Sequence, residues 1–182
     1  MKRSDLVELF KVLANQKRLD ILTLLLDSCL TVNEVAQKLG INISTAYRYL
    51  TQMYKQGILS VIKTPDGDRF DFSSKHMLRV IEEAINFISD KRGTPVFEPI
   101  YYNDTNLFKP KRVLDFRGET CPIPELTTRR ELKELTNGET LLVIVDYPLS
   151  KERIISFCRK MGYKVIAVDD KLDSKIYIEK TG

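Results

Sequence analysis

Hydrophobic residues recur every three or four positions along most of the first ninety or so residues, which is the period of an amphipathic helix. A Thr-x-x-Glu capping box at Thr31 and Glu34 marks one helix start, and Gly40 marks the end of that helix. Asn15 and Asn42 are predicted to cap two further helices. The predicted helices cover residues 6–14, a segment after Asn15 that carries Leu19 to Leu26, and residues 32–39, 43–56 and 75–91.

A short connection and a hairpin then define the first domain. Residues 40–42 join two of the helices, which is the spacing of a helix-turn-helix. Apolar-bearing runs at 58–63 and 69–72 flank a Pro65-Asp66-Gly67 turn, which predicts a β-hairpin. A helix-turn-helix followed at once by a hairpin is the order of a winged helix.

The pattern changes after residue 91. Residues 92–111 contain prolines and no helical period, which indicates a linker, but their aromatic residues predict that part of it packs on a domain. The remaining chain follows the order β-α-β-α-β-β. Strands are predicted at 113–116, 140–146, 164–169 and 175–179, and helices at 122–135 and 150–161. The predicted fold class is α+β: a winged helix over residues 1–91, and over residues 112–182 a two-layer α/β sandwich with two helices on one face of a four-stranded sheet.

The composition of the chain argues against a membrane, secreted or disulfide-rich protein. The chain has 182 residues, of which 43% are hydrophobic. No apolar run approaches the roughly 20 residues that a membrane span needs, and charges interrupt the N-terminal segment, so no secretory signal is predicted. Three cysteines do not make a disulfide framework. We therefore expect a cytoplasmic protein with reduced thiols and no membrane partner.

The net charge of +4 does not by itself indicate a function, but the distribution of charged residues along the chain does. From Val35 to Pro65 the chain has no Asp or Glu, while Lys38, Arg48, Lys55 and Lys63 fall in this stretch. Such a basic patch is typical of phosphate contact. An ordinary solvated face gives the same composition, so this reading stays open at this point.

The helix over residues 43–56 is the predicted recognition helix, and its partner is double-stranded DNA. Its exposed face carries hydroxyl and basic side chains that reach base edges or phosphates. The predicted DNA-binding residues on this helix are Ser44, Thr45, Tyr47, Arg48, Thr51 and Lys55. Lys63 and Arg69 flank the hairpin turn and are predicted to contact the DNA backbone or minor groove. Asp66 and Asp68 oppose deep insertion of the hairpin, and a protein-interaction module is the alternative.

Two helices have apolar faces that are wider than one side of a small domain covers. They are the first helix and the helix over residues 75–91. The apolar surface that the domain leaves uncovered predicts a homodimer formed through these two helices.

Residues 1 to about 91 resemble the ArsR-type winged-helix regulators. The resemblance is carried by LFKVLANQKRLDILTLL, by TVNEVAQKLGINISTAYRYLTQMYKQGIL and by the hairpin. It implies a homodimer that binds a palindromic operator. Many such regulators hold a metal through clustered cysteines in the third helix. This sequence has no cysteine there, so we predict neither a metal site nor a cofactor.

The motif Cys121-Pro122-Ile123-Pro124 carries the most specific chemistry in the chain. Proline is tolerated in the first turn of a helix, so the motif places Cys121 at a helix start. Free backbone N–H groups and the positive end of the helix dipole favour the thiolate there. Arg117, and Arg129 or Arg130, are candidates to add positive charge. The alternative is an unreactive capping cysteine. Cys158, on an apolar stripe, and Cys29 are expected to be structural.

The chain from Val113 onward resembles the TusA/SirA-like family. The likeness is carried by residues 114–124, by Asn137-Gly138-Glu139-Thr140-Leu141, by Asp146-Tyr147-Pro148 and by Met161-Gly162-Tyr163. It implies that Cys121 accepts and passes on a persulfide sulfur. Members that relay sulfur tend to have an Asp-Ile-Pro-like segment where this chain has Lys151-Glu-Arg-Ile-Ile, which predicts an altered partner-docking surface.

These features predict a DNA-binding transcriptional regulator whose C-terminal domain senses or carries sulfur on Cys121. Its further partner is a sulfur-donor protein or polysulfide. Any enzymatic activity is at most sulfur transfer. The alternative is a sulfur-relay protein whose winged helix docks a protein or an RNA.

Overall fold

A computed structural model describes residues 3–93, 109–170 and 172–182. The chain divides into two compact units, Met1–Glu82 and Glu83–Gly182. The first unit therefore ends inside the helix that the sequence predicts at 75–91. The predicted packing of the aromatic residues between 94 and 108 lies outside the described residues.

The first unit consists of helices followed by a hairpin, as predicted. Its elements are α1 (Arg3–Leu13), α2 (Gln16–Leu25), β1 (Leu30–Thr31), α3 (Val32–Leu39), α4 (Ile43–Lys55), β2 (Leu59–Thr64) and β3 (Gly67–Phe72), and α5 (Lys75–Lys91) continues into the second unit. Strands β2 and β3 pair antiparallel, from Leu59 opposite Phe72 to Thr64 opposite Gly67. The unpredicted β1 adds an edge strand, with Leu30 opposite Phe70. Two residues are too short to show an alternating pattern, which is why the sequence did not reveal it.

Local hydrogen bonds explain where the helices begin and end. The Thr31 hydroxyl accepts from the Glu34 amide at 3.2 Å, and the Glu34 carboxylate accepts from the Thr31 amide at 2.7 Å, which completes the predicted capping box. Gly40 ends α3 with φ of +61°, a left-handed conformation that glycine adopts without strain. The Asn15 side chain caps α2 as predicted. Asn42 occupies the N-cap position of α4, but its side chain makes no capping bond, so that part of the prediction is wrong.

The second unit has the predicted order β-α-β-α-β-β. Its elements are β4 (Arg112–Asp115), α6 (Ile123–Glu134), β5 (Thr140–Val145), α7 (Pro148–Met161), β6 (Lys164–Asp169) and β7 (Ser174–Glu179). The sheet order is β4-β5-β7-β6, with β4 parallel to β5 and the other pairs antiparallel. Helix α7 begins before the predicted residue 150, because Pro148 fits the first turn of a helix.

A single apolar layer joins the helices to the sheet of this unit. Leu141, Val143 and Val145 alternate along β5 and pack with Leu132 of α6 and Ile154 of α7. This packing fixes the position of both helices on one face of the sheet. Met161, the last residue of α7, is exposed. Among the described residues no helix is long and apolar enough to span a membrane.

Candidate functional site

Helix α4 presents its predicted polar face to solvent. Ala46, Leu50 and Met53 are fully buried and hold the helix against the first unit. The opposite side exposes Ser44, Tyr47, Arg48 and Lys55, and leaves Thr45 and Thr51 half-buried. The structure therefore brings all six predicted residues of this helix to its accessible side.

Large apolar side chains add to the exposed face of α4. Ile43 and Tyr47 are each 58% exposed, one turn apart, and Tyr54 is also exposed. The Arg48 guanidinium lies 5.3 Å from the centre of the Tyr49 ring. The sequence analysis did not assign Ile43 or Tyr54, although their helical spacing from Tyr47 was the signal that places them on this face.

The two basic residues of the hairpin differ. Lys63 is highly exposed and lies 2.7 Å from Asp68 across the hairpin. Arg69 instead turns inward: its side chain is 14% exposed, and it donates to the Glu34 carboxylate at 2.9 Å and to the Cys29 carbonyl at 3.3 Å. Arg69 therefore ties β3 to the start of α3, and its contact with DNA stays a prediction.

The same ion pair affects Glu34. Partial burial by itself raises the pKa of Glu34, but the hydrogen bond from the Thr31 amide and the charge of Arg69 together hold that pKa below its usual value. The ionised carboxylate is thus the form that holds the start of α3.

Helices α1 and α5 expose the apolar residues from which the sequence predicted a dimer. Phe10 of α1 is 55% exposed and Phe87 of α5 is 59% exposed. Other exposed apolar residues on these helices are Leu6, Val7, Val80, Ile85 and Ile88.

Cys121 lies two residues before α6. The Ile123 amide donates to the Thr120 carbonyl at 3.2 Å, so the cysteine sits inside a tight turn that leads into the helix. Pro122, and not Cys121 as predicted, takes the N-cap position, and Pro124 lies in the first turn. Only 2% of Cys121 is exposed.

The loop before Cys121 is fixed by a turn and an ion pair. The Glu119 amide donates to the Phe116 carbonyl, and Gly118 supplies the φ of +80° that such a turn requires. Arg117 donates to the Asp115 carboxylate at 2.9 Å, and these hydrogen bonds lower the pKa of Asp115 to about 2. A second carboxylate, that of Asp173, lies 3.5 Å from the Arg117 guanidinium. The role of Arg117 toward Cys121 stays a prediction.

The other two cysteines are buried. Cys158 lies in the core between α7 and the sheet, and burial raises the pKa of its thiol to about 12. It is therefore a protonated, unreactive thiol at neutral pH. Cys29 is fully buried.

A buried polar cluster between α6 and α7 escaped the sequence analysis. The Ser150 hydroxyl donates to Glu125 Oε1 at 3.0 Å, and Arg153 Nη1 lies 3.7 Å from the same oxygen. The sequence did contain a signal for this cluster: its polar residues lie on the same helix faces as apolar core residues. In the segment that departs from the family pattern, residues 152–155 are buried and Lys151 pairs with Asp170. The altered partner-docking surface stays a prediction.

Comparisons with known proteins find different families for the N-terminal and the C-terminal part of the chain. Residues 112–180 match the family model of the sulfurtransferase TusA. Over 70 residues the chain is 44% identical to a Thermotoga maritima protein described as a sulfur carrier, which covers 37% of this chain and 89% of that protein. The chain belongs to the TusA family of sulfur carrier proteins. It is also 37% identical over 71 residues to the sulfur carrier protein TusA of Buchnera aphidicola, covering 38% of this chain and 89% of that TusA.

The TusA family accounts for only the second domain. Residues 15–61 match the family model of bacterial regulatory proteins of the arsR family. Among solved structures, reduced HlyU from Vibrio cholerae is 28% identical, covers 46% of this chain and 88% of its own, and has a TM-score of 0.43. The antimony-specific transcriptional repressor AntR is 25% identical, covers 50% of this chain and 82% of its own, and has a TM-score of 0.45. The chain thus joins an ArsR-type DNA-binding regulator domain to a TusA sulfur carrier domain.

Proposed function

We propose that the protein is a transcriptional regulator whose affinity for its operator changes when Cys121 carries a persulfide sulfur. The observation that carries this proposal is the pairing, in one chain, of an exposed recognition helix with a thiol at the start of α6. Each half supports one part of the proposal, and the burial of Cys121 supports the link between them.

The first part is DNA binding through α4. Its inner face is fully buried, so the exposed residues are held on a rigid helix. The stretch from Val35 to Pro65 contains no carboxylate that would repel phosphate. In this proposal Arg48 bonds a guanine edge in the major groove, and Lys55 and Lys63 contact phosphates. These features favour duplex DNA over a protein partner.

Dimerisation follows from the exposed apolar residues of α1 and α5. Exposed apolar side chains on a helix face are unfavourable in water and mark an interface. A two-fold dimer presents two copies of α4, so it reads a palindromic operator whose half-sites lie about one helical turn, roughly 34 Å, apart.

The second part is sulfur chemistry at Cys121. The thiolate attacks the outer sulfur of a donor persulfide or polysulfide, the donor's sulfur–sulfur bond breaks, and the donor leaves as a thiolate. Cys121 then holds one more sulfur atom, and no external oxidant is consumed. The positive end of the α6 dipole supports the thiolate.

The link between the two parts is the burial of Cys121. Because 2% of the residue is exposed, both the donor and the added sulfur require the surroundings of the thiol to move. Inserting one extra heavy atom into a packed site costs about 1–3 kcal/mol. The proposal requires this cost to fall on only one of two states that differ in DNA affinity, because a cost shared by both states changes no affinity. A difference of this size changes a ligand affinity roughly 5- to 150-fold.

The second candidate is a sulfur-relay protein that uses its winged helix to dock a protein or RNA. It is favoured by one observation: the second domain spans 89% of the length of two sulfur carrier relatives, so it has the size of a whole carrier. A relay protein passes labelled sulfur from Cys121 to an acceptor and shows no sequence-selective DNA binding.

A salt-titrated gel shift against fragments of the source genome separates the two candidates. The regulator retains selected fragments at physiological salt, and intact mass after polysulfide treatment finds one added sulfur on Cys121. Cys121→Ser binds the same fragments and gains no sulfur at this position, while Cys158→Ala serves as the matched control. Uniform binding of all fragments, or equal sulfur gain by Cys121→Ser, contradicts the proposal.

A further inference from the structure

The first residue of the recognition helix has a large apolar side chain that the fold leaves in water. Ile43 begins α4 and is 58% exposed. Its spacing from Ala46 and Leu50 continues the buried stripe of this helix, but those two residues are fully buried and Ile43 lies outside the core. Tyr47, one turn further along, is exposed to the same extent. The beginning of α4 therefore carries apolar surface that the first unit does not cover.

Folding of the chain gives no reason for an isoleucine at position 43. A side chain that stays mostly in water contributes little hydrophobic stabilisation, because that stabilisation follows the apolar area removed from water. Isoleucine also has a lower helix propensity than alanine, since its branched side chain loses rotamer freedom in a helix. The apolar area of Ile43 is therefore available to a ligand.

The groups around Ile43 favour duplex DNA as that ligand. Ser44 and Arg48 are exposed on the same helix, and no Asp or Glu occurs between Val35 and Pro65, so this surface attracts phosphates. In a helix-turn-helix, residues near the N-terminus of the recognition helix contact base edges. An apolar side chain gains nothing from a phosphate. The apolar group that bases present in the major groove is the 5-methyl group of thymine.

We propose that Ile43 is a specificity-determining residue that covers the 5-methyl group of one thymine in each half of the operator. The inference rests on the proposed function only in taking DNA as the ligand of α4, and sulfur on Cys121 has no part in it. It adds a base preference that the polar residues of the helix do not supply, because their hydrogen bonds do not detect a methyl group.

The test compares thymine with deoxyuridine, which pairs with adenine in the same way and lacks only the 5-methyl group. The full chain first selects sequences from a pool of random duplexes, and the consensus of these sequences is the probe. Each thymine of the consensus is then replaced in turn, in both half-sites, and the dissociation constant is measured by fluorescence anisotropy at fixed salt. Burial of one methyl group corresponds to about fourfold in affinity, so replacement in both half-sites at the contacted position is expected to weaken wild-type binding about fifteenfold.

Two variants assign the methyl contact to Ile43. Ile43→Ala is expected to bind the thymine and deoxyuridine duplexes equally, because the two changes remove the same contact and their effects are not additive. Its melting temperature is expected to equal that of the wild type, since the side chain lies outside the core. Tyr54→Ala is the matched control: it removes another exposed apolar side chain near the other end of α4, about 16 Å along the helix axis, and should keep the wild-type preference for thymine.

Two results overturn the inference and leave the proposed function standing. One is a selected sequence in which no replacement of thymine by deoxyuridine weakens binding by the wild type. The other is an Ile43→Ala protein that keeps the wild-type preference for thymine. If the wild type selects no sequence from the pool, the proposed function fails, and the inference fails with it, because Ile43 then covers no base.

Discussion

Replacing Arg69 by Gln distinguishes a structural arginine from a DNA-binding one. Arg69 donates to both oxygens of Glu34, at 2.9 and 3.4 Å, and to the Cys29 carbonyl. Hydrogen bonds between charged groups contribute about 1.5–3 kcal/mol when buried. Because the Glu34 side chain is 38% exposed, solvent screening reduces this to about 1–2 kcal/mol for the pair. We expect Arg69→Gln to lower the free energy of unfolding of the first unit by this amount.

The pH dependence supplies a second signature. The folded-state pKa of Glu34 lies below its ordinary value of 4.5, so its contribution to stability is present above about pH 4.5 and is lost as the pH falls through the lower folded pKa. Arg69 is one cause of that lowering. Arg69→Gln should therefore lose less stability than the wild type between pH 5 and pH 3, a range set by ordinary carboxyl titration at about 4.3.

Urea denaturation followed by circular dichroism, at neutral and at acidic pH, measures both effects. Lys63→Gln is the matched control, since Lys63 lies on the same hairpin and is exposed. It should leave stability within about 0.5 kcal/mol of wild type while reducing the salt dependence of DNA binding by about one phosphate contact. An Arg69→Gln protein with wild-type stability and lost DNA affinity would refute the structural assignment.

Three further predictions concern the recognition helix, the dimer and the inert thiol. Arg48→Ala should weaken binding to the preferred operator by about 1–3 kcal/mol without changing stability, as measured by fluorescence anisotropy and thermal melting; equal loss on all sequences contradicts a base contact. Phe10→Glu should convert a dimer to a monomer in analytical ultracentrifugation and abolish operator binding; an unchanged mass contradicts the assigned interface. Cys158, with its pKa raised to about 12, should gain no sulfur from polysulfide at neutral pH in peptide mass spectra; modification of the folded protein there contradicts its burial.

Local signals in the sequence specified most of the fold. The capping box at Thr31, the left-handed Gly40 and the turn at Pro65 each act within a few residues, so their effects can be read from sequence. The apolar run over residues 140–146 likewise predicted strand β5.

The features that the sequence did not reveal depend on distant partners. Arg69 is basic and follows a hairpin turn, which suggested a DNA contact, but its partner Glu34 lies far away along the chain. Strand β1 exists only because β3 pairs with it. Glu125 and Arg153 read as solvent-exposed residues until α6 and α7 are packed together. In each case the contact that determines the structure joins residues far apart in the sequence. The periodicity of a single helix or strand does not reveal such a contact.

The central claim is tested most directly by the dissociation constant of an operator duplex before and after polysulfide treatment, measured by fluorescence anisotropy at fixed salt for the wild type and for Cys121→Ser. A coupling of about 1–3 kcal/mol predicts a roughly 5- to 150-fold change for the wild type, reversed by a reducing thiol, and no change for Cys121→Ser. Equal responses of the two proteins, or no response in a wild type that carries sulfur on Cys121, would contradict it.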